Sequence, residues 1–90
     1  MTYAWSGRPC LVTGGTGFGG SHLTANLLER GAQVYLLDRV FARNSYLVRQ
    51  GLESRVQFVQ GDIRDFDLLR SLIERYEIDT IFHLAAQSFV

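Results

Sequence analysis

Lysine is absent from this 90-residue sequence; all nine basic residues are arginine, and nine acidic residues balance them to a formal net charge of zero. A neutral chain has no charge-driven pull toward nucleic acid or an anionic membrane surface, so neither is expected as a partner. The single cysteine, Cys10, excludes a disulfide framework within the chain and is expected to be a buried structural thiol. No apolar run approaches membrane-spanning length, and Met1-Thr2-Tyr3-Ala4-Trp5-Ser6 lacks the charged and apolar regions of a signal peptide. A cytoplasmic address follows as the expectation. No pairing of His, Cys and carboxylates has a metal-binding spacing, so no metal site is expected. What is present is a globular composition, 47% hydrophobic, in a length that allows one domain at most.

Periodicity reads as strand, helix, strand, helix, strand, helix, strand, without linker or repeat. The first strand is predicted at Pro9–Thr13. A helix over about Gly17–Arg30 follows, with Leu23, Leu27 and Leu28 on one face and Gly31 as its stop. The second strand is Gln33–Asp38, whose unbroken Val34-Tyr35-Leu36-Leu37 suits coverage on both faces. Ala42–Gly51 is predicted as a short helix and Arg55–Gln60 as the third strand. The best-patterned helix carries Leu68, Leu69, Leu72, Ile73 and Tyr76 on one face, with Asp65 placed to cap it and Asp67 in its first turn. Thr80–Leu84 is the fourth strand. Alternating strands and helices imply a parallel Rossmann-type α/β sheet with right-handed crossovers and strand order 3-2-1-4. A crevice is expected at the carboxyl ends, where the order reverses.

The richest signal is Thr13-Gly14-Gly15-Thr16-Gly17-Phe18-Gly19-Gly20, between the apolar run Cys10-Leu11-Val12 and the first helix. Gly14, Gly17 and Gly20 recur at every third position. The first glycine permits a tight turn, the second lets a pyrophosphate approach the backbone, and the third lets helix and strand pack closely. Free N–H groups and the helix dipole attract negative charge there. A nucleoside-triphosphate loop fits Gly14, Gly19 and Ser21 but has Gly20 where its phosphate-binding lysine belongs, which disfavours it. A dinucleotide is the expected ligand.

Asp38 ends the second strand, eighteen positions beyond Gly20, where a carboxylate accepts from the ribose hydroxyls and repels a 2′-phosphate. That favours NAD, while Arg39 and Arg43 keep NADP open as the lesser choice. After the third strand, Asp62 could accept from the adenine amino group while Ile63 packs on the ring; a loop aspartate helping to start the helix is the equal alternative. Arg64, Asp65 and Asp67 read as helix-start and surface charges. Leu84-Ala85-Ala86 leaves room at the rim beside the first strand. His83 is expected to be a satisfied core histidine and His22 to lie on the helix surface.

Thr13-Gly14-x-x-Gly17-Phe18-x-Gly20, Asp38, Gly61-Asp62-Ile63-Arg64-Asp65 and His83-Leu84-Ala85-Ala86-Gln87, over about residues 8–90, resemble the extended short-chain dehydrogenase/reductase family. The nucleotide-sugar 4,6-dehydratases are the most similar branch, and epimerases carry similar runs. The resemblance implies that Phe18 and Gly19 contact the pyrophosphate, Asp38 the ribose, Asp62 and Ile63 the adenine, and Leu84, Ala85 and Ala86 the middle of the cofactor. Gly19 departs from the family, which has an apolar residue such as Ile or Val there. The resemblance also implies a catalytic Tyr-x-x-x-Lys, which a chain without lysine cannot contain. The expectation is therefore a partial NAD(P)-binding domain over residues 1–90 without the sugar-nucleotide domain, holding no catalytic residue and inactive alone. A non-catalytic dinucleotide-sensing module is the alternative. An open fourth-strand edge is expected to make a homodimer or edge-strand association.

Overall fold

In the computed structural model, residues 5–14, 18–40 and 46–84 are described. Four strands, β1 (Pro9–Thr13), β2 (Gln33–Asp38), β3 (Gln57–Gln60) and β4 (Thr80–His83), form one sheet in the order β3-β2-β1-β4. All three pairings are parallel, with Thr13 opposite both Leu37 and His83, and Asp38 opposite Gln60. Helices α1 (Phe18–Glu29), α2 (Tyr46–Arg49) and α3 (Phe66–Tyr76) connect them. This is the Rossmann-type arrangement expected from the alternation of patterns.

Burial follows the two-residue period of β1. Cys10 and Val12 join Leu27 and Leu28 of α1, Ala32, Val34, Leu36 and Leu47 in one core, while Leu11 joins Leu37, Leu72 and Ile78 in the other. The sheet is therefore sandwiched, with α1 and α2 on one face and α3 on the other. This explains why β1 and β2 read as unbroken apolar runs. Cys10 is fully buried, and burial pushes its thiol pKa up.

The face of α1 against the sheet is made of small side chains as well as leucines. Gly20, Ser21 and Thr24 are buried beside Leu27 and Leu28. Gly20, where close helix–strand packing is expected, is buried. Thr24 Oγ1 is buried without a hydrogen-bond partner among the described residues.

One strand begins later than its pattern suggests. The chain over Glu53–Arg55 forms a 3₁₀ turn, with the Arg55 amide donating to the Leu52 carbonyl at 2.9 Å, so β3 starts at Gln57. The local i→i+3 bond competes with the ladder for the same backbone groups. Of the predicted helix over Ala42–Gly51, Tyr46–Arg49 is helical and Gln50 and Gly51 form a turn, while residues 42–45 lie outside the described residues. In α3 the Asp65 carboxylate accepts from the Leu68 amide at 3.1 Å, the predicted cap.

Candidate functional site

The backbone ladder brings the ends of all four strands to one rim. The Gly14 amide donates to the Leu37 carbonyl at 2.9 Å, that of Gly61 to Asp38 at 3.0 Å, and that of Leu84 to Thr13 at 2.9 Å. Because every strand runs the same way, the residues just past each carboxyl end are neighbours. This places Gly14, Asp38, Arg39, Asp62, Ile63 and Leu84 along a single edge of the sheet. Thr16, Gly17, Ala85 and Ala86 lie outside the described residues, and Phe18 and Gly19 are the first two residues of α1.

At Gly14 the backbone turns out of β1 with φ of 74°, a left-handed conformation that disfavours any residue with a Cβ. Four residues later α1 begins, and its first turn carries no acidic residue. Its positive dipole end thus meets no carboxylate within that turn, which suits an incoming anion. Gly20 is buried within the first turn of the helix.

At the end of β2, one oxygen of the half-buried Asp38 accepts from the Arg39 amide at 2.8 Å. The exposed Arg39 is held by its backbone, its carbonyl accepting from Gln60 Nε2 at 3.1 Å. Past β3, Asp62 is engaged more extensively. Its Oδ1 accepts from the Arg64 amide at 2.8 Å and from Arg64 Nε at 3.1 Å, and its Oδ2 accepts from Arg64 Nη2 at 2.8 Å. The hydrogen bonds from Arg64, side chain first and then amide, hold the Asp62 carboxyl down at about 2. Arg64, a surface charge by its place in the sequence, folds back onto Asp62. The one available signal was the i, i+2 spacing of opposite charges in a turn.

Gly61 has its own packing reason. A Cβ there would run into Leu68 Cδ2 and approach Leu37 Cδ1 to 3.2 Å, so the side chains of α3 and β2 close over the strand end. The half-buried Ile63 lies two residues on. Val40 and Phe66, on the segments leaving β2 and β3, remain 68% and 74% exposed, apolar surface of a kind that a flat ring can cover.

His83 departs from the expected core histidine. It is satisfied, its Nδ1 lying 2.8 Å from Thr13 Oγ1, but its side chain is exposed. Alternation along β4 puts it on the same face as Ile81, which is 48% exposed. His22 lies on the helix surface as predicted, stacked on Tyr46 with ring centroids 3.9 Å apart.

A wide groove lies elsewhere on the described residues. It measures about 680 Å³ between β3 and α3, lined by Phe58, Gln60, Leu68, Ser71, Arg75 and Tyr76. That groove opens along the sheet edge and lacks a glycine turn and the helix start it leads to. The rim has both, which makes the rim the candidate site. Among the described residues no group of three or more His, Cys, Asp or Glu side chains could hold a metal ion.

Comparison with known proteins decides the family. The family described as GDP-mannose 4,6 dehydratase matches residues 11–90. The chain belongs to that family. It is 45% identical over 80 residues to a UDP-glucose 4-epimerase of Halalkalibacterium halodurans, covering 89% of this chain and 22% of that protein. It is 42% identical over 91 residues to a CDP-glucose 4,6-dehydratase of Salmonella typhimurium, covering 96% and 24%. Among solved structures, a UDP-glucose 4-epimerase from Stenotrophomonas maltophila, with bound NAD and formylated UDP-arabinopyranose, superposes with a TM-score of 0.77. The identity there is 34%, over 92% of this chain and 26% of the other. The chain spans about a quarter of the length of these relatives. The resemblance drawn from the sequence is confirmed, and the sensing-module alternative gains no support from relatives that are epimerases and dehydratases.

Proposed function

We propose that this chain is the NAD-binding portion of a nucleotide-sugar epimerase or 4,6-dehydratase. One observation carries the reading: a left-handed Gly14 leads from β1 toward an acid-free start of α1, on the same rim as the carboxylate that ends β2. The first two features suit a pyrophosphate against backbone amides, and Asp38 suits a diol that donates two hydrogen bonds. A 2′-phosphate at that position would face the Asp38 carboxylate, so NAD is favoured over NADP even with Arg39 adjacent.

Bound NAD would supply a hydride acceptor for C4 of the hexose in such an enzyme. The residues of this chain bind and orient the dinucleotide: Gly14 and the start of α1 at the phosphates, Asp38 at the ribose, Asp62 and Ile63 at the adenine, and Leu84 toward the middle. Thr16, Gly17, Ala85 and Ala86 complete the proposed contacts from outside the described residues. Residues 1–90 form a partial dinucleotide-binding domain in this reading, and the general base and the nucleotide-sugar contacts come from elsewhere in the enzyme. Without a lysine, the 90 residues by themselves turn over no nucleotide sugar. A cytoplasmic address is part of the same proposal. So is association of two copies along β4, where Ile81 and Leu84 are open to solvent.

Calorimetric titration with NAD and NADP, on the wild-type chain and on Asp38→Ala, tests the reading. The expected result is a wild-type preference for NAD that disappears in the variant. Equal affinity of the wild type for both nucleotides would remove the ribose assignment, and no binding of either would remove the function.

A further inference from the structure

The Asp62–Arg64 fork adds a selectivity element to this rim. An ionised carboxylate has about four in-plane acceptor positions, two on each oxygen. The Arg64 amide and Nε fill both on Oδ1, and Nη2 fills one on Oδ2. One position remains, on Oδ2. The Arg64 side chain is 82% exposed while that of Asp62 is 34% exposed, so the arginine serves the carboxylate rather than being buried for its own packing. Arg39, at the end of β2, adds a second positive field at Asp62.

We propose that Arg64 is a positioning residue that sets base selectivity, fixing Asp62 so that its one remaining acceptor position takes a single N–H donor from the base of the bound dinucleotide. This deepens, and rests on, the dinucleotide reading above. A base with an exocyclic amine at the purine 6-position supplies that donor. A base with a carbonyl at that position presents an oxygen to the carboxylate oxygen, and its N–H, on the adjacent ring nitrogen, is displaced from the line of the fixed acceptor. With the Arg64 side chain removed, only the residue-64 amide still holds Oδ1, so the carboxylate can pivot about that one bond, recruit water at the vacated positions and tolerate either base. The fork thereby converts a mobile anion, indifferent to which donor it meets, into a fixed acceptor that rejects the oxo base.

The test compares NAD with its hypoxanthine analogue, in which the 6-amino group is replaced by a carbonyl, on the 90-residue wild type, Arg64→Ala and Arg64→Lys. Circular dichroism checks that each variant is folded. The wild type should bind NAD about tenfold more tightly than the analogue, the range expected for one hydrogen bond to a charged group. In Arg64→Ala the ratio should fall to about two or less. Arg64→Lys should lose the preference too, because a point charge cannot reproduce the paired Nε and Nη2 contacts. The preference for NAD over NADP, set at Asp38, should survive in both variants. A wild type that binds NAD and its analogue equally overturns the proposal while leaving the dinucleotide reading intact. Equal weakening of both nucleotides in Arg64→Ala, with the ratio unchanged, also overturns it, since that is what a purely structural arginine would do. Absence of binding to any dinucleotide overturns the reading and the proposal together.

Discussion

Thr13 and His83 join the ends of β1 and β4 through their side chains, Oγ1 to Nδ1 at 2.8 Å, beyond what the backbone ladder already provides. The two partners are not equivalent: Thr13 is 1% exposed, whereas His83 is open to solvent. An exposed imidazole can find water when its partner is lost, but a buried hydroxyl cannot. His83→Ala should therefore cost about 1–2 kcal/mol, near the penalty of an unsatisfied buried polar group. Thr13→Val, which removes the buried hydroxyl itself, should cost less than about 1 kcal/mol. Urea denaturation of both variants checks the order; a costlier Thr13→Val would show that the bond does not work this way.

Gly61 should tolerate no side chain. Alanine there forces Leu68 or Leu37 to move, and overpacking of this kind costs about 1–3 kcal/mol. The same alanine introduced into a Leu68→Ala background should cost much less, because the atom it strikes is gone. Such non-additivity is the signature of direct contact. Thermal denaturation of the two single variants and the double variant measures it.

Glu77 ends α3 with φ of 53°, the left-handed conformation usually given to glycine, and its amide donates to the Ile73 carbonyl. Glu77→Gly should raise stability by about 0.5–1 kcal/mol by relieving the Cβ strain, the gain being reduced by the freedom glycine adds to the unfolded chain. Glu77→Ala keeps the Cβ and should leave stability nearly unchanged. A shift in the denaturation midpoint for alanine but not glycine would contradict this account of the cap.

Asp62 provides a pH test. Its carboxyl titrates at about 2 in the folded chain, held there by Arg64, against about 3.9 for an ordinary aspartate. A lowered folded value means the fork contributes fully above the unfolded value, and that contribution is lost as pH falls through the folded one. Carboxyl-carbon NMR should show Asp62 titrating near pH 2 in the wild type and at clearly higher pH in Arg64→Ala, still below an ordinary aspartate because the residue-64 amide and Arg39 remain. An unshifted Asp62 in the wild type would mean the fork does not persist in solution.

Most of the fold was legible because its signals are local. Leu68, Leu69, Leu72, Ile73 and Tyr76 form the α3 face found in the second core, and the Gly14-to-Gly20 run marks the strand–turn–helix junction. What escaped the sequence depends on tertiary neighbours. The exposure of His83 follows from which face of β4 is covered, and the single strand TIFH does not reveal that. The exclusion of a side chain at Gly61 depends on a leucine seven positions away. Arg64 reads as a surface charge and is exposed; only its direction, back onto Asp62, gives it a role, and a sequence does not show direction. At the site, Asp38, Asp62 and Leu84 were placed correctly at strand ends, since parallel strands of known order must bring those ends together.

The most direct test of the central claim is a map of backbone amide shifts in ¹⁵N-labelled protein as NAD is added. The account predicts that the amides of Gly14, Gly20, Asp38, Asp62 and Leu84 move together and saturate with one dissociation constant, while Ser71 and Arg75 in the β3–α3 groove stay fixed. Shifts confined to that groove, with the strand-end amides unmoved at saturating NAD, would contradict it.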